Sequence, residues 1–290
     1  MFDVCVIGSA NLDLVATTER LPGPGETVLG SQFAEHAGGK GLNQAIAASR
    51  AGARTAFVGA VGRDAGGRRL LDELAGADVN SEAVVEVDGH PTGRALIAVD
   101  AAGENSIIVV PGANTAVTAD RLPPSRVVLM QLEIAVATAE AALRAAHDRG
   151  ALAVLNPAPA TALPRHVLAL VDILVPNEHE VRLLGGRDAL VAAGVGTVVT
   201  TLGSAGVEVA TSQWMWHRPP FAVTVTDTTA AGDAFCGALA AQLAVGEPIE
   251  RAVDFAAAAG ALATTRAGAV PSIPDANAIR SLLGRDCTAS

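Results

Sequence analysis

One segment, Asp227-Thr-Thr-Ala-Ala-Gly-Asp233, places a carboxylate directly after three small residues at the start of a predicted helix. The backbone N–H groups of Ala230, Ala231 and Gly232 would lie at the helix N-terminus, where unpaired donors and the helix dipole favour an anion. Asp233 could then accept the proton of an attacking hydroxyl while these N–H groups stabilise negative charge. An aspartate that only complements the helix dipole is the alternative, and the small residues before it favour the catalytic interpretation.

A second segment, Gly38-Gly39-Lys40-Gly41-Leu42-Asn43-Gln44, opens another predicted helix. It is not a Walker A loop, because Lys40 is followed by glycine instead of serine or threonine. The three glycines allow close approach to a ligand, and the amide of Asn43 offers a donor and an acceptor to sugar hydroxyls. A helix-entry turn with a solvated lysine remains an equal alternative.

Polar side chains also follow two predicted strands. Asn11 and Asp13 come after the apolar run Val4–Ile7, and in extended chain they would share one face. Glu133 follows the strand-like run at 127–132. Polar groups at strand ends suit hydroxyl binding, whereas an Asx turn is the alternative for the first pair.

Two further segments follow later strands. Asn177 is a natural N-cap, and Glu180 three residues later completes a capping-box pattern, so a structural role competes with a role in organising Mg²⁺ and its waters. The stretch Thr201-Leu-Gly203-Ser204-Ala-Gly206 could surround a nucleotide or merely turn a hairpin.

The order of predicted elements indicates how these segments are held. Strand-like runs alternate with helical patterns over most of the chain, which predicts an α/β fold with a doubly wound, mostly parallel sheet and helices on both faces. Ligands of such sheets bind beyond the carboxyl ends of the strands. The short runs at 84–87, 92–99 and 106–110 read as hairpins. We therefore predict a single domain, 1–290, with a small β-sheet lid formed from about 12–34 and 84–110.

Composition excludes several classes of protein. The net charge is −10 and no cluster of basic residues occurs, which argues against nucleic-acid binding. The three cysteines are widely spaced and predict reduced thiols in a reducing compartment. No apolar run reaches the length of a membrane span, and the N-terminus lacks the pattern of a signal peptide. We expect a cytoplasmic protein without membrane contact.

Together, the GGKGLNQ and DTTAAGDAF segments resemble the two signatures of the ribokinase-like (PfkB) carbohydrate kinase family. Their order and separation match too, and the resemblance runs from about Val4 to Pro274. Within that family, the bacterial ribokinases are the most similar group.

The resemblance implies a role for each matching position. Asp233 would be the general base, and Ala230, Ala231 and Gly232 would hold the transferred phosphoryl group. The sugar would be bound by Asn11, Asp13, Gly39, Lys40, Gly41, Asn43, Glu133 and Asp233. ATP would lie near Asn177, Thr201, Gly203, Ser204, Gly206 and Gly232, with Glu180 acting on Mg²⁺ indirectly. A K⁺ ion would lie at Asp227, Thr229, Ala263, Arg266, Gly268 and Ser272.

The expected activity is transfer of the terminal phosphate of ATP to the primary hydroxyl of D-ribose, and the expected assembly is a homodimer through the β lid. The ribose assignment depends on the joint presence of Asn11, Asp13, GGKGLNQ and Glu133. Three alternatives remain open: a kinase for fructose, deoxyribose, a nucleoside or a sugar phosphate; a non-catalytic sugar or nucleotide sensor; and a dinucleotide-dependent oxidoreductase, which lacks a GxGxxG motif. The stretches 184–195 and 118–126 are shorter than the resemblance leads us to expect.

Overall fold

A computed structural model describes the backbone of residues 1–289 and the side chains of residues 1–284. The strands are β1 Phe2–Ile7, β2 Asn11–Thr18, β3 Gly30–Gly38, β4 Thr55–Val58, β5 Ala60–Gly62, β6 Val85–Val87, β7 Gly93–Val99, β8 Asn105–Val110, β9 Ser125–Met130, β10 Leu152–Leu155, β11 Ile173–Leu174, β12 Thr197–Thr201, β13 Val207–Ala210 and β14 Met215–Arg218. The helices are α1 Lys40–Arg50, α2 Ala65–Gly76, α3 Val136–Asp148, α4 Arg165–Leu168, α5 Glu178–Leu183, α6 Arg187–Ala192, α7 Ala231–Ala244, α8 Ile249–Ala263 and α9 Ala276–Ala289.

The main sheet has the strand order β14-β13-β12-β11-β10-β9-β1-β4. Its six strands from β12 to β4 run parallel, and β13 and β14 add an antiparallel hairpin at one edge. Strands of such a sheet are buried on both faces and therefore read as continuous apolar runs. This architecture confirms the fold class predicted from the sequence.

Two separate apolar cores cover the two faces of this sheet. In β1, the side chains of Val4 and Val6 join the core that contains α1, α7 and α8. Those of Cys5 and Ile7 join the core that contains α3 and α6. Successive residues of a strand point to opposite faces, so every buried strand contributes to both cores and fixes the helices of both layers.

Close packing of α1 against α7 brings two of the predicted functional segments together. A Cβ atom at Gly237 of α7 would lie 2.5 Å from the carbonyl oxygen of Gln44 and 2.5 Å from the Cβ of Ala47. Only glycine permits this approach, and the first turns of the two helices therefore meet at the carboxyl edge of the sheet.

A second sheet, with the order β3-β2-β7-β8, stands apart from the main one. The prediction that 84–87 belongs to this lid was wrong, because β6 pairs in parallel with β5 in a separate two-stranded sheet. The strands β4 and β5 follow one another directly, but they belong to different sheets because the chain leaves the main sheet at Gly59. The outer strand β8 is exposed along its whole length, including Ile107 and Ile108.

Other differences follow from local chemistry. The stretch 161–171 holds only a single helical turn, α4, which begins after Pro164. The hairpin of β13 and β14 ends at Arg218, because Pro219 and Pro220 have no N–H to donate to a ladder. The shortened stretch before β12 retains only the six-residue α6. Within residues 1–289, no helix combines the length and hydropathy needed to cross a membrane.

Candidate functional site

The carboxylate of Asp233 lies in the first turn of α7 and is held from α1. Its Oδ2 accepts a hydrogen bond from Nδ2 of Asn43 at 3.0 Å, and its Oδ1 accepts one from Nε2 of Gln44 at 2.9 Å. The residue is 8% exposed. Each oxygen keeps a lone pair free after these bonds, which leaves the carboxylate able to accept a proton from a ligand.

The backbone before Asp233 turns sharply into α7. Ala230 adopts a left-handed conformation with φ 58° and ψ 8°, which is unfavourable for alanine by roughly 1 kcal/mol. The N–H of Ala231 donates to the carbonyl of Thr228. Among the described residues, the N–H groups of Gly232 and Asp233 have no backbone acceptor. These two donors are therefore available to an anion at the helix N-terminus.

Asn11 and Asp13 lie at the start of β2, and the charges of Glu133 and Asp233 act on the Asp13 carboxyl group. Oδ1 of Asn11 accepts a hydrogen bond from Nδ2 of Asn114 at 2.7 Å, and Oδ1 of Asn114 accepts one from the N–H of Ala10 at 2.9 Å. A Cβ atom at Gly38 would lie 2.1 Å from Oδ2 of Asp13. Glycine at this position is what leaves space for the Asp13 carboxylate.

Glu133 is tied to the start of α1. Its Oε2 accepts hydrogen bonds from the hydroxyl of Ser9 at 2.5 Å and from the N–H of Lys40 at 3.1 Å. A Cβ atom at Gly41 would lie 2.6 Å from the backbone of Gly8 and Ser9. The glycines of the GGKG stretch thus let α1 begin directly on the end of β1.

Burial dominates the electrostatics of the site. It raises the pKa of Asp13 to about 7, with help from the charges of Glu133 and Asp233. It also raises the pKa of Asp233, although Lys40 and the amides of Asn43 and Gln44 oppose the shift. For Lys40, burial acts to lower the pKa, but the surrounding carboxylates outweigh it and the pKa is raised. Lys40 therefore remains a cation at the centre of the acidic groups.

A cleft of about 240 Å³ opens beside Asp233. Seven of the predicted site residues line it together: Lys40, Asn177, Glu180, Thr201, Ala230, Gly232 and Asp233. The sequence analysis did not select the other lining residues, which are Asn156, Ala158, Val175, Thr228 and Cys236. Of the segment 38–43, only Lys40 lines this cleft. The other residues predicted for the sugar do not line it: Asn11, Asp13, Gly39, Gly41, Asn43 and Glu133.

Asn177 and Glu180 cap the start of α5 and also line the cleft. Oδ1 of Asn177 accepts from the N–H of Glu180, and Oε2 of Glu180 accepts from the N–H of Asn177, each at 2.8 Å. This is a complete capping box. Burial raises the pKa of Glu180, while its bond to Asn177 and the charge of Lys40 oppose the change.

The segment after β12 is divided between the cleft and a turn. Thr201 lines the cleft, whereas Gly203, Ser204 and Gly206 do not. Gly206 has φ 96°, and a Cβ atom there would lie 2.1 Å from the carbonyl oxygen of Arg218. Its immediate function is to turn the β12–β13 hairpin.

The residues predicted for a monovalent cation gather around Asp227. Its Oδ1 accepts from the N–H and the hydroxyl of Thr229, and its Oδ2 accepts from the N–H of Gly268 at 2.8 Å. Burial alone would raise the pKa of Asp227, but these hydrogen bonds outweigh it and lower the pKa. No backbone N–H of the described chain donates to the carbonyl oxygens of Ala263, Arg266 or Gly268.

The hydroxyl of Ser272 bonds within its own turn and not to Asp227. The residue is buried, and its hydroxyl donates to the carbonyl of Ala269 at 2.8 Å. Together with Arg266 it lines a second cavity, of about 380 Å³.

Sequence reasoning missed the amides that support the site. Nε2 of Gln44 also donates to Oδ1 of Asn156 at 3.1 Å, and Oε1 of Gln44 accepts from Nε2 of Gln131 at 2.6 Å. Gln44 lies inside the GGKGLNQ segment, Gln131 inside the strand-like run at 127–132, and Asn156 directly after β10. Position at the carboxyl end of a buried strand was the available signal for Asn156.

Comparisons with known proteins agree with this geometry. The pfkB family carbohydrate kinase profile matches residues 1–276. A ribokinase from Bacillus subtilis is 37% identical over 98% of this chain and 100% of its own length. A bifunctional ribokinase/ribose-5-phosphate isomerase A from Fructilactobacillus sanfranciscensis is 37% identical over 99% of this chain. The matched region covers 57% of the length of that relative.

Solved structures give the same result. A ribokinase from Thermotoga maritima superposes with a TM-score of 0.90 at 33% identity, covering 98% of this chain and 100% of the other. An Arabidopsis thaliana ribokinase complexed with ribose and ATP has a TM-score of 0.86 at 33% identity, covering 97% and 98%. The match over nearly the whole chain confirms the resemblance drawn from the two motifs. The chain belongs to the pfkB family of carbohydrate kinases.

Proposed function

We propose that the protein transfers the terminal phosphoryl group of ATP to the primary hydroxyl of D-ribose and releases ribose 5-phosphate. The observation that carries the proposal is the meeting of one carboxylate, Asp233, with free backbone N–H groups at the start of α7 in a cleft shared with Lys40. Relatives named ribokinase that match almost the full chain, and the ribose and ATP complex of the plant protein, support the choice of substrates.

In this mechanism the sugar lies against the wall formed by Asn11, Asp13 and Glu133. Oδ1 of Asn43 is buried and has no hydrogen-bond partner in the described structure, so it is ready to accept a sugar hydroxyl. Gly39, with φ 87°, lets the chain pass within van der Waals distance of Asn11. Gly41 then starts α1 against β1. Lys40 balances the carboxylates and keeps the pocket from accumulating uncompensated negative charge.

Transfer proceeds in line between two oxygens. Asp233 orients the primary hydroxyl and takes its proton as the oxygen bonds to phosphorus. The N–H groups of Gly232 and Asp233 would face the phosphoryl oxygens, after the turn at Ala230. The N–H of Ala231, which the sequence predicted for the same role, is instead bonded to the carbonyl of Thr228. Nucleotide contacts are assigned to Asn177, Thr201, Gly203, Ser204 and Gly206.

Two cations are part of the proposal. Bound Mg²⁺ neutralises charge on the phosphates, and Glu180 would hold its waters, because only one of its carboxylate oxygens is bound by the capping box. K⁺ would be held by Asp227, Thr229, Ala263, Arg266, Gly268 and Ser272. The unpaired carbonyl oxygens of Ala263, Arg266 and Gly268 fit a cation, whereas the hydroxyl of Ser272 already bonds to Ala269.

The four-stranded sheet would close over the sugar and exclude water, which otherwise competes as phosphoryl acceptor. We also propose that this sheet pairs with its twin in a homodimer. The exposed apolar side chains of Phe33, Leu96, Ile107 and Ile108 on that sheet support the pairing. Light scattering of the purified protein tests it. The buried free thiols of Cys5 and Cys236 fit the predicted cytoplasmic location.

A panel of acceptors tests the function. ADP release would be measured with ATP, Mg²⁺ and K⁺ against ribose, deoxyribose, fructose, a nucleoside and ribose 5-phosphate. We expect the highest kcat/KM for ribose. A higher value for another acceptor would replace the substrate assignment, and ATP binding without turnover for any acceptor would favour the sensor.

A further inference from the structure

The side chain of Gln44 occupies a fully buried position directly behind the proposed base. It is 0% exposed, and its amide makes three hydrogen bonds, to Asp233, Asn156 and Gln131. Its complete burial, behind Asp233 and Asn43, separates it from the space open to sugar and nucleotide. Its contacts therefore act on substrate only through Asp233.

The direction of these hydrogen bonds is fixed by a backbone group. Nδ2 of Asn156 donates to the carbonyl oxygen of Val175 at 2.8 Å, and a carbonyl can only accept. The Oδ1 of Asn156 must then face Gln44, which obliges Gln44 to present its N–H groups. Gln131 adapts to this orientation, because its Nε2 donates to Oε1 of Gln44 while its own Oε1 has no partner in the described structure. If the Gln44 amide were flipped, its Oε1 would face the oxygens of Asn156 and Asp233, and its NH₂ group would face that of Gln131.

The fixed orientation of Gln44 determines which group faces Oδ1 of Asp233. Because Gln44 cannot flip, Oδ1 of Asp233 always meets an N–H donor, and that hydrogen bond is stronger to the ionised carboxylate than to the protonated group. Asn43 differs, since its Oδ1 has no partner and its amide is free to turn. Of the two donors to Asp233, only that of Gln44 is held in one orientation.

We infer that Gln44 is a positioning residue that orients the Asp233 carboxylate and keeps it in the proton-accepting form, with Asn156 fixing Gln44 in turn. The inference rests on the proposed function, because it assigns Gln44 a part in the same reaction. Burial disfavours the carboxylate at this position, and the donor from Gln44 opposes that effect.

Several other charged groups face Asp233 and would contribute to any pH dependence. Lys40 on α1 favours its ionised form, whereas Glu133 after β9 disfavours it. Asp13 on β2 and Cys236 on α7 also interact with its charge. The experiment must therefore vary Gln44 alone and hold the sugar site occupied.

The test is the pH profile of kcat at saturating ribose and ATP, which reports groups in the substrate complex. A hydrogen bond to a charged group corresponds to roughly a ten- to hundredfold change in an equilibrium. We therefore expect Gln44→Met to move the acid limb of the profile upward by about one to two pH units, with KM for ATP unchanged. Gln44→Glu keeps the side-chain shape, adds a second carboxyl group and should move the limb further.

Gln131→Met leaves both donors of Gln44 in place and should shift the limb by less than about half a unit. Gln242→Met makes the same chemical change near the end of α7 and should leave the profile unaltered. A role in packing alone would lower kcat by one factor at every pH and leave the limb in place, and that result in both Gln44 variants overturns the inference. Gln44→Glu covers the case in which Gln44→Met fails to fold.

Failure of the proposed function gives a different result. An unmodified protein without ribose-dependent ADP release would contradict the function itself before any variant is compared. An active protein whose acid limb does not respond to either Gln44 substitution would contradict only the positioning role.

Discussion

Replacing Asp233 with asparagine should abolish most turnover and leave the fold and the nucleotide site intact. The substitution keeps the size of the side chain and removes its basicity. Positioned general bases contribute roughly 10²- to 10⁴-fold to rate, and we expect kcat to fall within that range.

The hydrogen bonds around the new side chain can be satisfied by one local change. Gln44 continues to donate to position 233, so the oxygen of the introduced amide must take the place of Oδ1. The NH₂ group of that amide would then face the amide of Asn43, which can turn because its Oδ1 has no partner. The variant therefore needs no rearrangement of α1 or α7.

At pH values above the ordinary pKa of an aspartate, Asp233→Asn should be at least as stable as the unmodified protein. The pKa of Asp233 is raised in the folded protein even with Lys40 beside it, so the ionised form destabilises the fold once the pH exceeds the unfolded-state value of about 4. A neutral amide removes this penalty. The melting temperature of Asp233→Asn at pH 8 should be equal to or higher than that of the unmodified protein.

Three measurements check the prediction: kcat from ADP release, the Kd for ATP from calorimetry, and the melting temperature. Asp148→Asn, an exposed change at the end of α3, serves as the matched control and should alter none of them. If Asp233→Asn retains kcat within a few-fold of the unmodified protein, the base assignment is wrong. Loss of ATP binding together with a lower melting temperature would instead contradict the hydrogen-bonding argument.

The remaining predictions concern the sugar wall, the helix start and the cation loop. Because the pKa of Asp13 is about 7, KM for ribose should be up to about tenfold higher at pH 6 than at pH 8, and Asp13→Asn should remove this dependence. Gly41→Ala should destabilise the fold by about 1–3 kcal/mol in urea unfolding, since the added Cβ meets backbone, whereas Gly76→Ala enters open space and should not destabilise it. Asp227→Ala should remove activation by K⁺. The lowered pKa of Asp227 means that its stabilising contribution is present above about pH 4 and lost in stronger acid, so the variant should melt lower than the unmodified protein only above that pH.

Local patterns were sufficient to predict most of the architecture. The buried runs Val4–Ile7 and Leu152–Leu155 are apolar throughout, and they are followed by Gly8 and Asn156, where the chain leaves the sheet. Local patterns failed where pairing partners decide the outcome. The run at 84–87 has the composition of a hairpin strand, yet it pairs with β5, and nothing within the run specifies that partner.

The same limit explains which parts of the site were found. Asp233 and Asn43 follow glycines and other small residues, and such neighbours indicate that the backbone can approach a ligand closely. The supporting amides have no such signal, because Gln44 is 112 residues from Asn156 and 87 from Gln131 in the chain. A glutamine on a buried helix face reads as an anomaly in sequence, since a buried amide is unfavourable unless its hydrogen bonds are satisfied.

That anomaly becomes informative once the direction of the hydrogen bonds is considered. A buried amide could bond equally well in either of its two orientations unless a group of fixed polarity selects one of them. Here the selection comes from the carbonyl of Val175, which can only accept, and it passes through Asn156 and Gln44 to Asp233. The carboxylate is therefore oriented by a main-chain group just after β11, across the sheet edge from its own helix. Such a constraint exists only in the folded chain, where strand order and side-chain polarity act on the same atoms.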